Sequence, residues 1–536
     1  MGNGFLSIIL HAHLPFVRHP EYPSFFEENW LFEAITECYI PLLNMLDRLH
    51  QDRVDYRLTL SVSPTLMSML GDEILQDRYL RYLHKLLDLA DQEIIRTRHA
   101  KAYQALARLY RRHFQQALDC YQNRYQRDLL TAFNQHSQTG HLVLITCAAT
   151  HGFLPLLSPH ESAVRNQINI GINTFKQYFG RRPTGFWLPE CAYYPGLENL
   201  LHEAGIEYFF TDTHGVLNAS EPPRHGVHAP IDCGHGVHAF ARNPDASKQV
   251  WSAQDGYPGD FDYREYYSDI GFDTDIDLDY LAPYILDAET RIHTGIKYHR
   301  ITGGDAPKQI YQPRQALDKA LLHGRDFVCK CQHQVEQLRE TMDRPPIIIA
   351  PYDAELFGHW WFEGPRWLEQ VLRLTGKQNN AIESVSCDEY LQRFPDNQIA
   401  TPSASTWGDQ GYFNYWINES NDWIYPHLQA ASLKIERLAS DYAHVEAHSL
   451  EERALNQAAR SLLLAQASDW PFIMKSGTTV DYARKRITDQ LARFNYLHDT
   501  VVNNAIDEYT LSGLEQMDNI FPQIDFRDYC NQDKPV

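Results

Sequence analysis

The chain has 536 residues, of which 43% are hydrophobic and 22% charged, and a formal net charge of −21. That length exceeds one ordinary core and predicts two or three domains. The charge repels nucleic acid and anionic membrane surfaces and leaves a neutral polymer as a compatible partner. Nine cysteines, an odd number scattered along a long chain, do not read as a disulfide framework. Met1 to Leu10 lacks a basic region and no apolar stretch approaches a membrane span. The expectation is a cytoplasmic protein, monomeric, with no membrane partner.

Short apolar runs alternate with helical patterns through roughly the first 400 residues. Phe5–Leu10, Tyr56–Val62, Leu142–Cys147, Gly185–Leu188, Ile206–Thr211 and Ile347–Ala350 each read as a buried parallel strand. This alternation predicts an α/β barrel or an open α/β sheet. Leu66 to about Thr139 breaks the rhythm and reads as a helical insertion. Asp212 to about Gly271 is rich in Gly, Pro, His and Asp, with little periodicity, and reads as a long functional loop. From about Thr401 the pattern is helical, over Ala430–Leu450, Leu455–Gln466 and Tyr482–Ser512. The division is therefore 1–400 with an insertion at about 66–140 and a loop at about 212–271, then a helical unit at 401–536.

In a barrel, working residues sit at the C-terminal ends of strands. His11 and His13 come after the first run, Thr150 and His151 after the third, and Glu190 after the fourth. Asp353, Glu355, His359, Trp360 and Trp361 come after the last. Four strand ends with His or carboxylate beside aromatics point to one polar pocket. Paired carboxylates are the minimum apparatus for glycoside cleavage: one protonates the leaving oxygen, the other attacks the anomeric carbon or activates water. Alternatives stay open at this point. Glu190 also suits a helix N-terminal charge, Glu355 competes with Asp353 for the acid role, and His11-x-His13 suits zinc but lacks an obvious third ligand. Cys329, Cys331 and His333 lie in a helical pattern, where positions two apart face differently. Asp273 to Asp279 resembles a calcium loop, but Leu278 stands where glycine is required.

Several long motifs in order carry a family resemblance: HAHLPF (His11–Phe16), Thr150–His151, WLPECAYYPG (Trp187–Gly196), GYPGDFDYREYYSDIGFD (Gly256–Asp273), YDAELFGHWWFEGP (Tyr352–Pro365), STWGDQGYFNYWIN (Ser405–Asn418) and ASDWPF (Ala467–Phe472). Over most of its length the chain resembles glycoside hydrolase family 57, in particular its 1,4-α-glucan branching enzymes with a helical C-terminal domain. The resemblance implies a distorted (β/α)7 barrel with a helical insertion and an all-α C-terminal domain, and a retaining mechanism on α-glucan without metal or other cofactor. It implies Glu190 as nucleophile and Asp353 as general acid/base. It implies substrate contacts from His11, His13, His151, Trp30, Arg264, Trp360, Trp407, Trp416 and Asp469. Such a nucleophile must be ionised, so positive charge or hydrogen bonds are expected to hold the Glu190 pKa down. The family's branching enzymes carry a transfer-linked tyrosine in a covering loop, yet Thr213–Gln249 holds no Tyr and five histidines. Branching, α-1,4 hydrolysis and a non-catalytic glucan-binding role all remain readings.

Overall fold

The computed structural model describes residues 4–252, 255–285, 291–303, 306–376 and 382–530. Seven parallel strands form the frame: β1 (Gly4–Ala12), β2 (Leu58–Val62), β3 (Leu142–Cys147), β4 (Gly185–Trp187), β5 (Tyr208–Thr211), β6 (His238–Ala241) and β7 (Ile347–Asp353). Their spatial order is β7-β1-β2-β3-β4-β5-β6. The strands are apolar and nearly continuous because helices cover their outer faces; all nine residues of β1 are buried. The sheet curls into a (β/α)7 barrel. At its seam Asn243 N, just beyond β6, donates to Ile349 O of β7 at 2.8 Å.

Between β2 and β3 stand α1 (Pro64–Leu70), α2 (Glu73–Arg96), α3 (Lys101–Asp119) and α4 (Leu129–Gln138). Asp72 caps α2 by accepting from Leu75 N at 3.0 Å. Beyond β3 come α5 (Glu161–Phe179) and, before β7, α6 (Pro313–Arg339). The C-terminal helices are α7 (Ile424–Asp441), α8 (Leu450–Ala465), α9 (Asp469–Ser476), α10 (Val480–Val502) and α11 (Glu508–Met517). Ser449 caps α8 through Glu452 N. Apolar residues of β1, the insertion and the C-terminal helices belong to one continuous core.

Several sequence expectations shift. Periodicity runs Ala430–Leu450 together, whereas the chain breaks after Asp441 and a new helix starts at Leu450. Tyr482–Ser512 likewise divides into α10 and α11. The segment 212–271 is not structureless. Ile231–Asp232 pairs antiparallel with β6, across a turn where Gly234, His235 and Gly236 all have positive φ, and a helix comes next at Pro244–Trp251. The short run of β6, set among Gly and His, hides its strand from a pattern reading. Cys329, Cys331 and His333 lie on the plain helix α6. Asp277 accepts from Asp279 N, its own turn. Among the described residues no helix is long and apolar enough to cross a membrane.

Two antiparallel bridges stitch the C-terminal region to the barrel: Tyr193 pairs with Ser405, and Gly152 with Ala467. Both barrel partners lie in the loops after β3 and β4, so the loops that carry His151 and Glu190 are clamped from above.

Gly358, five residues beyond Asp353, has φ 117°, and a Cβ there would meet Glu37 O at 1.7 Å. Backbone strain of this kind costs roughly 1–3 kcal/mol before the clash is counted. Gly358→Ala is therefore expected to lower the unfolding midpoint in thermal denaturation by several degrees. A midpoint equal to wild type would contradict the packing described.

Candidate active site

Register fixes the floor of the site. His11 of β1 is level with Asp353 of β7 on one side and with Ser61 of β2 on the other. Cys147 of β3 is level with Trp187 of β4, and His151 and Glu190 lie just past those two strand ends. Both occupy left-handed backbone, with φ 57° at His151 and φ 61° at Glu190. Non-glycine residues adopt that region only where surroundings compel it. At Glu190 the compulsion is visible: its carbonyl accepts from Trp407 N at 3.1 Å and from Thr406 Oγ1 at 2.7 Å.

The same pair of C-terminal segments holds the Glu190 side chain. Trp407 Nε1 donates to Oε2 at 3.0 Å. Ser468 Oγ donates to Oε1 at 3.0 Å. Ser468 has one proton, and it goes to the carboxylate, so His151 Nδ1, 2.8 Å away, must donate to Ser468 Oγ. His151 Nε2 is then bare and accepts from His11 Nε2 at 3.0 Å. His11 Nδ1 is bare in turn and accepts from Ser61 Oγ at 3.1 Å. The result is one directed chain, Ser61 to His11 to His151 to Ser468 to Glu190, in which both imidazoles are neutral. Burial drives the pKa of His11 and of His151 down, as that chain requires. The His11 ring also lies flat against Trp187, centroids 4.6 Å apart.

His13 stands beside this chain. Its ring stacks on His151 at 3.9 Å, and its Nε2 lies 3.2 Å from both Asp469 oxygens. Burial works against protonating His13, but the Asp469 carboxylate outweighs it and the net pKa is raised. Asp469 thus favours the protonated form of a ring that faces the carboxylates. His13, His151 and Asp469 also offer ligand atoms within 4.8 Å of one another, the donor types a transition metal takes. Zinc, with bonds to nitrogen of about 2.0–2.1 Å, would have to draw them closer. This cluster is not the His11–His13 pair that the sequence offered: it keeps His13, leaves out His11 and adds His151 and Asp469, and both His151 nitrogens are already engaged by His11 and Ser468.

Glu190, Asp353, Glu355 and Trp360 line one cavity of about 570 Å³, together with Trp407 and Asp469. The carboxylates of Glu190, Asp353 and Glu355 are all raised, and burial is the largest cause at each. Asp353 is pushed well above the usual carboxylate range by burial, then by Glu355 and Glu190. Glu355, also raised by burial, reaches about 7 while Tyr39 OH donates to it at 2.5 Å. Glu190 too is pushed up to about 7, by burial first, with Asp469 adding to it against the Trp407 and Ser468 hydrogen bonds. This corrects the expectation of a depressed Glu190: the donors are present, but desolvation outweighs them.

Residues 7–310 match the model described as glycosyl hydrolase family 57, and residues 427–529 match that of the 1,4-alpha-glucan branching enzyme C-terminal region. The chain belongs to glycosyl hydrolase family 57. It is 32% identical to a 1,4-alpha-glucan branching enzyme of Thermococcus kodakarensis, over 99% of this chain and 79% of that protein. In structure it is similar to an alpha-amylase of Thermotoga maritima, at 43% identity and TM-score 0.92, over 99% of this chain and 100% of that one. It is also similar to a family 57 branching enzyme of Pyrococcus horikoshii, at 32% identity and TM-score 0.89, over 100% and 98%.

Within this family 57 chain two expected substrate contacts are misplaced. Arg264 is 3% exposed; its guanidinium lies 4.2 Å from the Phe362 ring centroid and 3.9 Å from Glu37. It braces the wall behind Trp360 rather than lining the cavity. Trp30 packs edge-on to Tyr482 of α10 at 5.9 Å and lies outside the lining, its apolar surface drawn onto the core. Trp416 reaches the lining but is only 1% exposed, because it stacks on Phe153 at 4.7 Å. Sequence reasoning missed Ser468, Ser61, Trp187, Arg242 and Trp251. Ser468 sat next to the chosen Asp469 in ASDWPF, and Ser61 sat one strand from His11 in register.

Trp407→Phe and Ser468→Ala each remove one donor to ionised Glu190, a bond on the scale of ~1.5–3 kcal/mol. Each is expected to lower kcat on amylose roughly tenfold or more. Losing a donor to the charged form raises the Glu190 pKa further, so the acidic limb of the pH profile should move to higher pH. A limb that stays put, or moves down, contradicts the geometry.

The raised Glu190 pKa also predicts a stability effect. The fold disfavours the ionised form, so the penalty is full above pH 7 and disappears as pH falls towards 4.5. Glu190→Gln is expected to raise the thermal midpoint at pH 8 and to lose that gain by pH 5. A gain of the same size at both pH values would show that charge burial is not its source.

Proposed function

We propose that this enzyme remodels α-1,4-glucan by double displacement, chiefly as a 1,4-α-glucan branching enzyme. The observation that carries the reading is one aromatic-walled cavity reached by two carboxylates, Glu190 beyond β4 and Asp353 at the end of β7. Glu190 attacks the anomeric carbon while Asp353, held protonated by its surroundings, gives its proton to the departing O4. The chain on the non-reducing side is then an ester of Glu190, and Asp353 is a carboxylate. It takes the proton of a 6-hydroxyl on a second glucan; that oxygen attacks the anomeric carbon and Glu190 leaves. An α-1,6 branch forms and Asp353 is protonated again. His13, whose Nδ1 carries no hydrogen bond, and Asp469 are suited to hold the hydroxyls of the sugar being transferred, while the neutral relay of His11 and His151 keeps its nitrogens for Ser61 and Ser468. Trp407 serves both as a wall and as the donor that steadies Glu190 when it carries charge. The full-length likeness to branching enzymes and the C-terminal match support transfer. Nine unpaired thiols support a cytoplasmic location.

A second reading, α-1,4 hydrolysis, has its own support. The likeness to an enzyme described as an alpha-amylase reaches 43% identity. In addition, the stretch that lacks a tyrosine is folded onto β6, and only Arg242 of it lines the cavity.

Proton NMR of amylose incubated with the enzyme, with reducing ends counted in the same tube, separates the readings. Branching predicts a growing α-1,6 signal with few new reducing ends. New reducing ends without that signal would make the enzyme a hydrolase. Glu190→Gln and Asp353→Asn are each expected to abolish both signals, and turnover near wild type in either variant would refute the double displacement.

A further inference from the structure

The cavity does not end at its rim. Trp360 lines it and is 49% exposed. Its ring lies 4.2 Å from that of Tyr266, tilted by 30°. Tyr266 in turn meets Tyr267 at 5.1 Å and His293 at 5.4 Å. His293 meets Phe272 at 4.7 Å. Tyr267 is 72% exposed and Phe272 44%, and neither lines the catalytic cavity. From the cavity outward, then, the solvent-facing rings are Trp360, Tyr267 and Phe272, with Tyr266 and His293 set between them.

This file of rings is held in place by buried polar groups. Tyr266 OH bonds His359 Nε2 at 3.0 Å, and His359 Nδ1 donates to Glu37 Oε2 at 2.9 Å. The Lys297 ammonium sits 5.0 Å from the Tyr266 ring centroid and donates to Asp269 Oδ2 at 2.9 Å. Asp269 also accepts from the backbone of Gly271, Thr294 and Gly295. At Gly271 the chain runs so close to Ile292 O that a Cβ would lie 1.8 Å away. Asp269 bridges to Lys297 and Arg264 to Arg300, while Tyr110 of α3 donates to Lys297 O at 2.7 Å. Exposed aromatics on so braced a backbone are pre-organised, and pre-organised contacts lose little entropy on binding.

We infer that Trp360, Tyr267 and Phe272 form a glucan-binding track that carries a long α-glucan chain out of the catalytic cavity. Tyr266 is a positioning residue, since Trp360 and Lys297 flank its ring. The occupant is a neutral oligosaccharide for three reasons. The track begins inside the cavity, so a chain bound there continues onto it. It is a single file of rings and not a broad apolar face of the kind that seats another protein. The net charge of −21 repels the polyanions that also stack on aromatics. The inference rests on the reading of the chain as an α-glucan enzyme and extends it to substrates longer than the cavity.

The test is Tyr267→Ala/Phe272→Ala, with Tyr267→Phe as the conservative control. Two readouts are needed: retardation in native gels containing glycogen, and KM for long amylose relative to KM for maltotetraose. The double variant is expected to bind glycogen about fivefold more weakly or worse, the scale of truncating an aromatic contact, and to raise the KM ratio comparably. Tyr267→Phe should retain both. If wild type turns over amylose but the double variant keeps its glycogen affinity and its KM ratio, the track is overturned and the proposed activity stands. If wild type is retarded by glycogen without any turnover and the double variant loses the retardation, the activity falls and the track stands. Equal weakening by Tyr267→Phe would overturn a role for ring stacking.

Discussion

The grip of the C-terminal region on Glu190 is the constraint on which the site depends. Trp407 holds the residue at both ends, through its backbone N–H to the Glu190 carbonyl and through its indole N–H to the carboxylate. Ser468 takes the other carboxylate oxygen. Neither donor belongs to the barrel. Without residues 405–407 and 467–469, Glu190 would have a left-handed backbone with nothing to compel it and a buried carboxylate with no donors. Such a state is costly on both counts. The barrel supplies the strand ends, and the helical region turns them into a site. This accounts for the two short bridges that sew Ser405 and Ala467 to the loops after β4 and β3.

The electrostatics arise from crowding. Glu190, Asp353 and Glu355 share one buried cavity, and each is raised by burial before any neighbour is counted. Glu190 receives two side-chain donors that favour its ionised form, whereas at Asp353 burial, Glu355 and Glu190 all favour the protonated form. Environments that push two carboxyls apart assign the acid and the nucleophile. The neutral relay from Ser61 to Ser468 keeps a proton directed at Glu190 without adding a charge there, while His13, whose protonated form Asp469 favours, and Arg242 line the same cavity.

The barrel and its chemistry were legible for a physical reason: parallel strands buried on both faces are short, apolar and separated by helices, and the residues just past each strand end build the site. His11, His151, Glu190 and Asp353 could be read that way, and the family motifs added the C-terminal tryptophans. Four things were not legible. β6 reads His-Ala-Phe-Ala among Gly and His, so its segment passed for an open loop. Arg264 is a charged residue in a motif, and only packing reveals that its partners are Phe362 and Glu37 rather than a substrate. The direction of the Glu190 shift depends on how deeply the carboxylate is buried against how many donors it receives, and sequence gives neither. Ser468 was missed because a serine beside an aspartate carries no signal until the fold brings it to His151 and Glu190.

The central claim, that Glu190 supplies the oxygen that attacks the anomeric carbon, is tested most directly by trapping the ester. Asp353→Asn lacks the base for the second step, and α-maltosyl fluoride needs no acid for the first, so the glycosyl-enzyme should accumulate. Intact-mass and peptide-mass spectrometry are expected to find one maltosyl group on the peptide that contains Glu190, and none when Glu190→Gln is added. A maltosyl group on Glu355 or Asp469, or fluoride release without any adduct on the Glu190 peptide, would contradict the account.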